Sequence, residues 1–312
     1  MPKNYGLNWE LELKQQSDKD WIFGATSPVC IAEIPPVERD NCLPKGEVQQ
    51  GVGDMSDCTV RSVINMLETK LNWLVKNNKL SVITIKFLKD KGFINNKGEV
   101  EISDAFTSIK SGTTPQGNSM KAPFESVRID GICPKKLLPL EKWMTFDDFH
   151  KPERITEEIE KIAKDSLRYL GFNYEKVWNS RIGEMLNRDI IGLGGFAWPE
   201  PINGEYPRTE EEPNHAFMGI RNPRTFIFDN YIDPCDGDFI KKLASDYKFT
   251  NYGYRIIISE KTFTPEEIRQ EKLTLIKQML DIIQKAVDCI KQEINNIKGR
   301  LGKLASKLWR NQ

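Results

Sequence analysis

Only two histidines occur in this 312-residue chain, and the neighbours of one of them point to chemistry. His215 sits in Pro213-Asn214-His215-Ala216-Phe217-Met218-Gly219, and Phe226-Ile227-Phe228-Asp229-Asn230 ends fifteen residues after it. Far upstream, Gln50-Gly51 is followed by Ser56-Asp57-Cys58-Thr59 at the head of an amphipathic stretch. A thiol, an imidazole and an amide in that order can build a nucleophile. A free thiol has a pKa of about 8.5 and is mostly protonated at neutral pH. The positive end of a helix and an adjacent imidazolium lower that value by several units. An amide such as Asn230 then fixes the tautomer and orientation of the ring.

Such residues act only if the chain brings them together. Asp57 or Ser56 can cap a helix whose apolar positions Val60, Val63, Ile64, Leu67, Leu71 and Leu74 repeat at helical spacing. That helix is expected to run to about Lys76, with Cys58 in its first turn. Further helices are expected over 81–91, 155–170 and 179–186, with a Gly/Asn turn at 92–98 and a loop at 111–118. Residues 190–198, 216–220, 225–228 and 254–259 read as strands. Residues 1–46, broken by Pro28, Pro35, Pro36 and Pro44, read as irregular. The expectation is an α+β chain in three parts: a packing segment over 1–46, a catalytic domain over 47–262, and a helix over 263–312. A helical half carrying Cys58 precedes a β-rich half carrying His215 and Asn230, and a cleft between the halves is where a composite site forms.

Composition narrows the function classes. Lys+Arg and Asp+Glu both total 45, so no bulk charge argues for nucleic acid. Residues 1–16 hold no apolar core of a secretory signal, and no run of about 18 apolar residues exists to span a membrane. The cysteines Cys30, Cys42, Cys58, Cys133, Cys235 and Cys289 are scattered without a CxxC pair, which reads as reduced thiols rather than disulfides or a zinc site. A soluble protein of a reducing compartment is expected, cytoplasmic or virion-associated, with no metal and no cofactor. Gly192, Gly194 and Gly195 resemble a phosphate loop, but no helix follows, and close backbone packing in a strand is the reading adopted. His150 reads as a surface residue, and the cysteines other than Cys58 as packing.

The last fifty residues follow another rule. Leu273, Leu280, Val287, Ile294, Leu301 and Leu308 interleave with Ile276, Ile283, Ile290, Ile297 and Leu304 at spacings of three and four without a slip. That is a heptad seam, opened by Thr264-Pro265-Glu266-Glu267 as cap and first turn. Three readings stand: a parallel coiled coil of three or four copies through residues 264–308, a helix docked on its own domain, or a basic end resting on an anionic membrane surface.

Several further segments join the thiol, histidine and amide into a resemblance. The chain is similar to the papain family of cysteine peptidases, and most resembles its bacterial and phage branch, over residues 5–260. Tyr5-Gly6 with Asp18-Lys19-Asp20-Trp21-Ile22-Phe23 is similar to that branch's N-terminal segment, and Ile34-Pro35-Pro36-Val37-Glu38-Arg39-Asp40 to the stretch before the catalytic loop. Gln50-Gly51 and Ser56-Asp57-Cys58-Thr59 resemble its Gln-Gly…Gly-Ser-Cys-Thr, and Gly131-Ile132-Cys133-Pro134 its Gly-Val-Cys-Pro. Asn214-His215-Ala216, Phe228-Asp229-Asn230 and Gly253-Tyr254-Arg255-Ile256 resemble the histidine, asparagine and closing strands. The resemblance implies a two-lobed papain-like fold. It implies Cys58 as nucleophile, His215 as acid and base, Asn230 as its orienter, Gln50 as oxyanion donor, and Gly117 and Asn118 as the substrate loop. The implied reaction is peptide-bond hydrolysis through a thioester, with amidase or transpeptidase chemistry on cell-wall peptide as a variant of the same triad. A non-catalytic assembly module, oligomerised by the C-terminal helix, is the competing reading.

The sequence departs from the family pattern at defined points. Gln50 lies eight residues before Cys58 where six are usual, leaving Gln49 as a substitute donor. Asp57 replaces a serine, and its charge raises the thiol pKa unless Arg61 pairs with it. Asn230-Tyr231-Ile232-Asp233 replaces Asn-Ser-Trp-Gly, and Asp229 is an alternative orienter for His215.

Overall fold

Ser56 adopts a left-handed backbone (φ 51°) that closes the preceding loop, and two residues later a 19-residue helix opens at Cys58. The computed structural model describes residues 6–17, 33–46, 48–196, 200–207, 212–221, 226–232 and 237–309, and the chain forms two units, Met1–Lys261 and Thr262–Gln312. In chain order the helices are α1 (Trp9–Lys14), α2 (Pro36–Arg39), α3 (Cys58–Lys76), α4 (Val82–Lys91), α5 (Asp104–Lys110), α6 (Lys121–Asp130), α7 (Phe146–Phe149), α8 (Glu157–Ser166), α9 (Ile182–Arg188) and α10 (Pro265–Trp309). The strands are β1 (Gln50–Gly51), β2 (Gly53–Asp54), β3 (Leu170–Trp178), β4 (Ile191–Gly195), β5 (His215–Arg221), β6 (Phe226–Phe228), β7 (Ile240–Lys242) and β8 (Tyr252–Glu260).

The long strands form one antiparallel sheet in the order β3-β8-β4-β5-β6-β7. Helix α3 packs on its centre, against β5 and β4, and meets α5 and α6 on its other side. That double cover explains why α3 buries polar as well as apolar residues, although its sequence is amphipathic. Lys70 of α3 is buried and ion-paired with buried Asp189, and Ser62 donates to the Phe217 carbonyl at 2.9 Å. Pairing is what lets such groups leave water. A side chain at Gly192 would press on the Met66 methyl and the Ser62 hydroxyl of α3, so glycine there lets the helix pack closely on the strand.

Arg39 clamps the segment before the loop that leads to Cys58. Its buried guanidinium donates to the carbonyls of Ile34, Leu186 (2.6 Å) and Ile220 (2.7 Å), joining three separate parts of the first unit. The N-terminal part is less irregular than expected, because Asn8 caps α1 by accepting from Leu11 N–H at 3.0 Å. Strand β3 and helices α5 and α6 were not anticipated. In the second unit α10 spans 45 residues, and its seam side chains Leu280 and Ile290 are 58% and 60% exposed. No helix among the described residues is long and apolar enough to cross a membrane.

Candidate active site

Strand β5 begins at His215 and packs on the first turn of α3, which brings the two ends of the chain's chemistry together. The backbone of Ala216 hydrogen-bonds the Cys58 sulfur, and Cys58 and His215 are both 0% exposed. His215 Nε2 lies 2.7 Å from Asp229 Oδ1, and the other Asp229 oxygen accepts from Lys241 Nζ at 2.7 Å. Burial works to raise the Asp229 pKa, but His215, Lys241 and their hydrogen bonds overcome it and hold it at about 2. An ionised carboxylate only accepts, so Nε2 carries the proton when the ring is neutral.

The residue hydrogen-bonded to the ring is therefore Asp229 and not Asn230, whose side-chain oxygen accepts instead from Asn65 Nδ2 at 2.9 Å. Adjacent extended residues point to opposite sides, so one position of register decides which of the two meets the ring. With Asp229 in that position, the aromatic residue two places on is Tyr231, and its ring centroid lies 5.5 Å from that of His215. The tryptophan of the family pattern thus has a counterpart that alignment on Asn230 concealed.

The same parity separates the two glutamines. Gln50 is exposed on the β1–β2 hairpin, whereas Gln49 is buried and donates from Nε2 to Asp54 Oδ1 at 2.8 Å. Asp54 also accepts from Ser56 N–H at 2.8 Å and from the Tyr231 hydroxyl. Its carboxylate thus gathers an amide, a phenol and a backbone donor beside the thiol. Burial pushes the Cys58 pKa well up, the negative charges of Asp54, Asp57 and Asp229 push the same way, and the Ala216 backbone opposes them. Arg61 does pair with Asp57, Nε to Oδ1 at 3.0 Å, and its guanidinium also reaches Asp104 at 3.2 Å. The Asp57 carboxylate is engaged there and does not cap α3.

Asn118 already holds a piece of backbone, with Gly117 packed closely beside it. Asn118 N–H donates to the Gly6 carbonyl and Asn8 N–H to the Asn118 carbonyl, each at 2.8 Å, while Leu7 N–H reaches the Asn214 carbonyl at 3.3 Å. Gly117 has φ 90°, and a side chain there would strike the Gly6 backbone, as one at Gly6 would strike Ser56. Residues Gly6–Asn8 therefore run between the expected substrate loop and the residue before His215, with Gly6 against Ser56. Sequence reasoning placed this segment as packing and missed its position. Leu7→Pro removes the N–H that reaches Asn214 and is expected to speed Cys58 alkylation about tenfold, the worth of one hydrogen bond. An unchanged rate, measured by mass spectrometry of timed samples, would mean that Gly6–Asn8 does not govern access.

Other expectations resolve more simply. His150 is half-buried, with Nε2 2.9 Å from Ser108 Oγ and its ring stacked on Phe146, so it is not a surface residue. Cys42 and Cys133 are buried free thiols, burial pushing Cys133 up to about 12, whereas Cys289 is exposed on α10. Cys30 and Cys235 lie outside the described residues.

No family model matches the chain, and no curated protein matches it in sequence. Solved structures do. Procathepsin B S9 from Trypanosoma congolense aligns at a TM-score of 0.51 with 10% identity, covering 80% of this chain and 85% of its own. Xylellain, a cysteine protease from Xylella fastidiosa, aligns at 0.42 with 13% identity, covering 78% and 96%. Procathepsin L 3 of the Tenebrio molitor larval midgut aligns at 0.46 with 11% identity, covering 81% and 76%. These likenesses do not single out the bacterial and phage branch. The alignment with procathepsin B S9 establishes the architecture: the chain has the fold of the papain-like cysteine proteases.

Proposed function

We propose that the protein is a cysteine endopeptidase whose nucleophile is Cys58 and whose acid–base is His215. The observation that carries the reading is the buried His215–Asp229 hydrogen bond on the strand that packs against Cys58 at the head of α3. Cys58 Sγ forms a bond to the scissile carbonyl carbon while its proton passes to His215 Nδ1. The imidazolium returns that proton to the amine as the C–N bond breaks, leaving a thioester on Cys58. Water, deprotonated by His215, then adds to the thioester and expels the thiolate. Asp229 holds the ring in place of Asn230. The Cys58 backbone N–H and Gln49 side chain are the oxyanion donors, Gln49 becoming available when Asp54 lets go of its amide. Asn118 and Asn214 bind substrate main chain with the backbone groups that now hold Gly6–Asn8, and Gly117 lets that main chain approach closely. Hydrolysis of an unstructured protein such as reduced casein, absent in Cys58→Ala, tests the reading; equal turnover by wild type and variant would overturn it.

The full burial of Cys58 and its raised pKa favour a second reading, a latent or catalytically silent module. In either case α10 associates with further copies of itself in parallel. Leu at one seam position and Ile at the other favours three or four chains over two, and Met279 and Ala286 widen the apolar face beside the seam. Assembly in a virion and contact of the basic end with a membrane surface are uses to which such a bundle could be put.

A further inference from the structure

The geometry points to Lys241 as a positioning residue that cancels the charge of Asp229, so that the pair orients His215 as a neutral amide would. The inference rests on the peptidase reading of this site. An amide can hold an imidazole without adding charge, whereas a carboxylate adds a negative charge next to both the ring and the thiol. Cys58 already faces Asp54 from the hairpin and Asp57 from the head of its own helix, the latter paired with Arg61, which also binds Asp104. A further uncompensated carboxylate would hold the thiol proton more tightly still.

Lys241 is placed to prevent this. Its register partner on β6 is Ile227, so Asp229, two residues on, is its diagonal neighbour on the same face. The Asp229 amide is fixed by donating to the Phe239 carbonyl at 2.9 Å. Each carboxylate oxygen has one cationic or ring partner: Oδ1 meets His215 and Oδ2 meets Lys241, both at 2.7 Å. The Lys241 side chain is 2% exposed, also donates to the Tyr231 carbonyl, and lies 5.9 Å from the Tyr206 ring centre. An ammonium held on these sides does not swing to solvent. It also fixes the loop carrying Tyr231, whose ring rests against His215 and whose hydroxyl holds Asp54.

The test reads ionisation of Cys58 directly, as thiolate absorbance of each variant minus the same variant with Cys58→Ala. Lys241→Met is expected to move the midpoint upward by about one unit, the effect of a charge lost at this range. Lys241→Arg, which keeps the charge, should hold it near wild type. Asp229→Asn with Lys241→Met, which makes the orienter neutral in fact, should restore it. A structural role alone predicts no displacement, or one that the double variant repeats. An unmoved midpoint in folded Lys241→Met, or a double variant no nearer to wild type, overturns the inference. Casein hydrolysis run on the same proteins separates the two claims. A displaced midpoint without hydrolysis leaves the Lys241 role and removes the peptidase reading, and hydrolysis with an unmoved midpoint does the reverse.

Discussion

Asp229→Ala is expected to slow Cys58 alkylation by about a thousandfold, while Asn230→Ala slows it by no more than about tenfold. The larger figure follows from the loss of tautomer and orientation control when a triad carboxylate is removed. The smaller follows from the loss of one hydrogen bond to Asn65. Asp229→Ala also leaves Lys241 charged and buried without its carboxylate, a change that costs about 3–5 kcal/mol of stability. The more conservative Asp229→Asn separates charge from shape. A carboxyl held at about 2, against an ordinary value of 3.8, contributes stability present above pH ~4 and lost as the pH falls toward 2. Denaturation of wild type and Asp229→Asn should therefore differ by about 2 kcal/mol from this source at neutral pH. The gap should close as the pH drops from about 4 to 2. A gap that stays constant across that range would mean that Asp229 is not held ionised by its partners.

Ile283→Asp with Ile290→Asp is expected to reduce the particle mass from three or four chains to one chain of 36.0 kDa. Both residues lie on the exposed seam of α10, at 56% and 60% exposure. Each buried isoleucine contributes about 1.5–3 kcal/mol, so a three-chain bundle forfeits about six such terms and must also bury the new carboxylates. A helix of this kind draws its stability from packing more than from propensity, so the far-ultraviolet helical signal should fall with the mass. Sedimentation equilibrium checks the result, and a wild-type particle of one chain would remove the coiled-coil reading.

Local rules made α3 legible because a polar loop, a cap position and an unbroken 3.6-residue pattern coincide at Cys58. The β-rich half was legible where strands are apolar, as in β4, β5 and β8. Strand β3 was hidden because it buries Glu175 and Lys176, polar residues at core positions; Glu175 is kept there by Arg255, 3.5 Å away. Short helices such as α5, capped by Ser103 and only seven residues long, carry too few turns to display a period. At the site, residue type named Asn230, but parity chose Asp229. Hydropathy could not read that parity, since Ile227 and Phe228 are both buried and β6 has only three residues. Gln49 and Gln50 posed the same problem, since the strand that begins at Gln50 holds only two residues. The pairing of Lys241 with Asp229 depends on strand neighbours, and the course of Gly6–Asn8 on contacts with residues more than a hundred positions away, so neither had a local signature.

The central claim is that His215 activates Cys58, and one labelling experiment tests it most directly. The full chain is treated with a covalent epoxide inhibitor of papain-type enzymes, and the adduct is located by peptide mass spectrometry. Wild type, His215→Ala and Leu7→Pro are compared. The account predicts a single adduct on Cys58, accelerated in Leu7→Pro and absent in His215→Ala. Labelling of Cys58 that is equally fast without His215, or no labelling of folded Leu7→Pro, would contradict it.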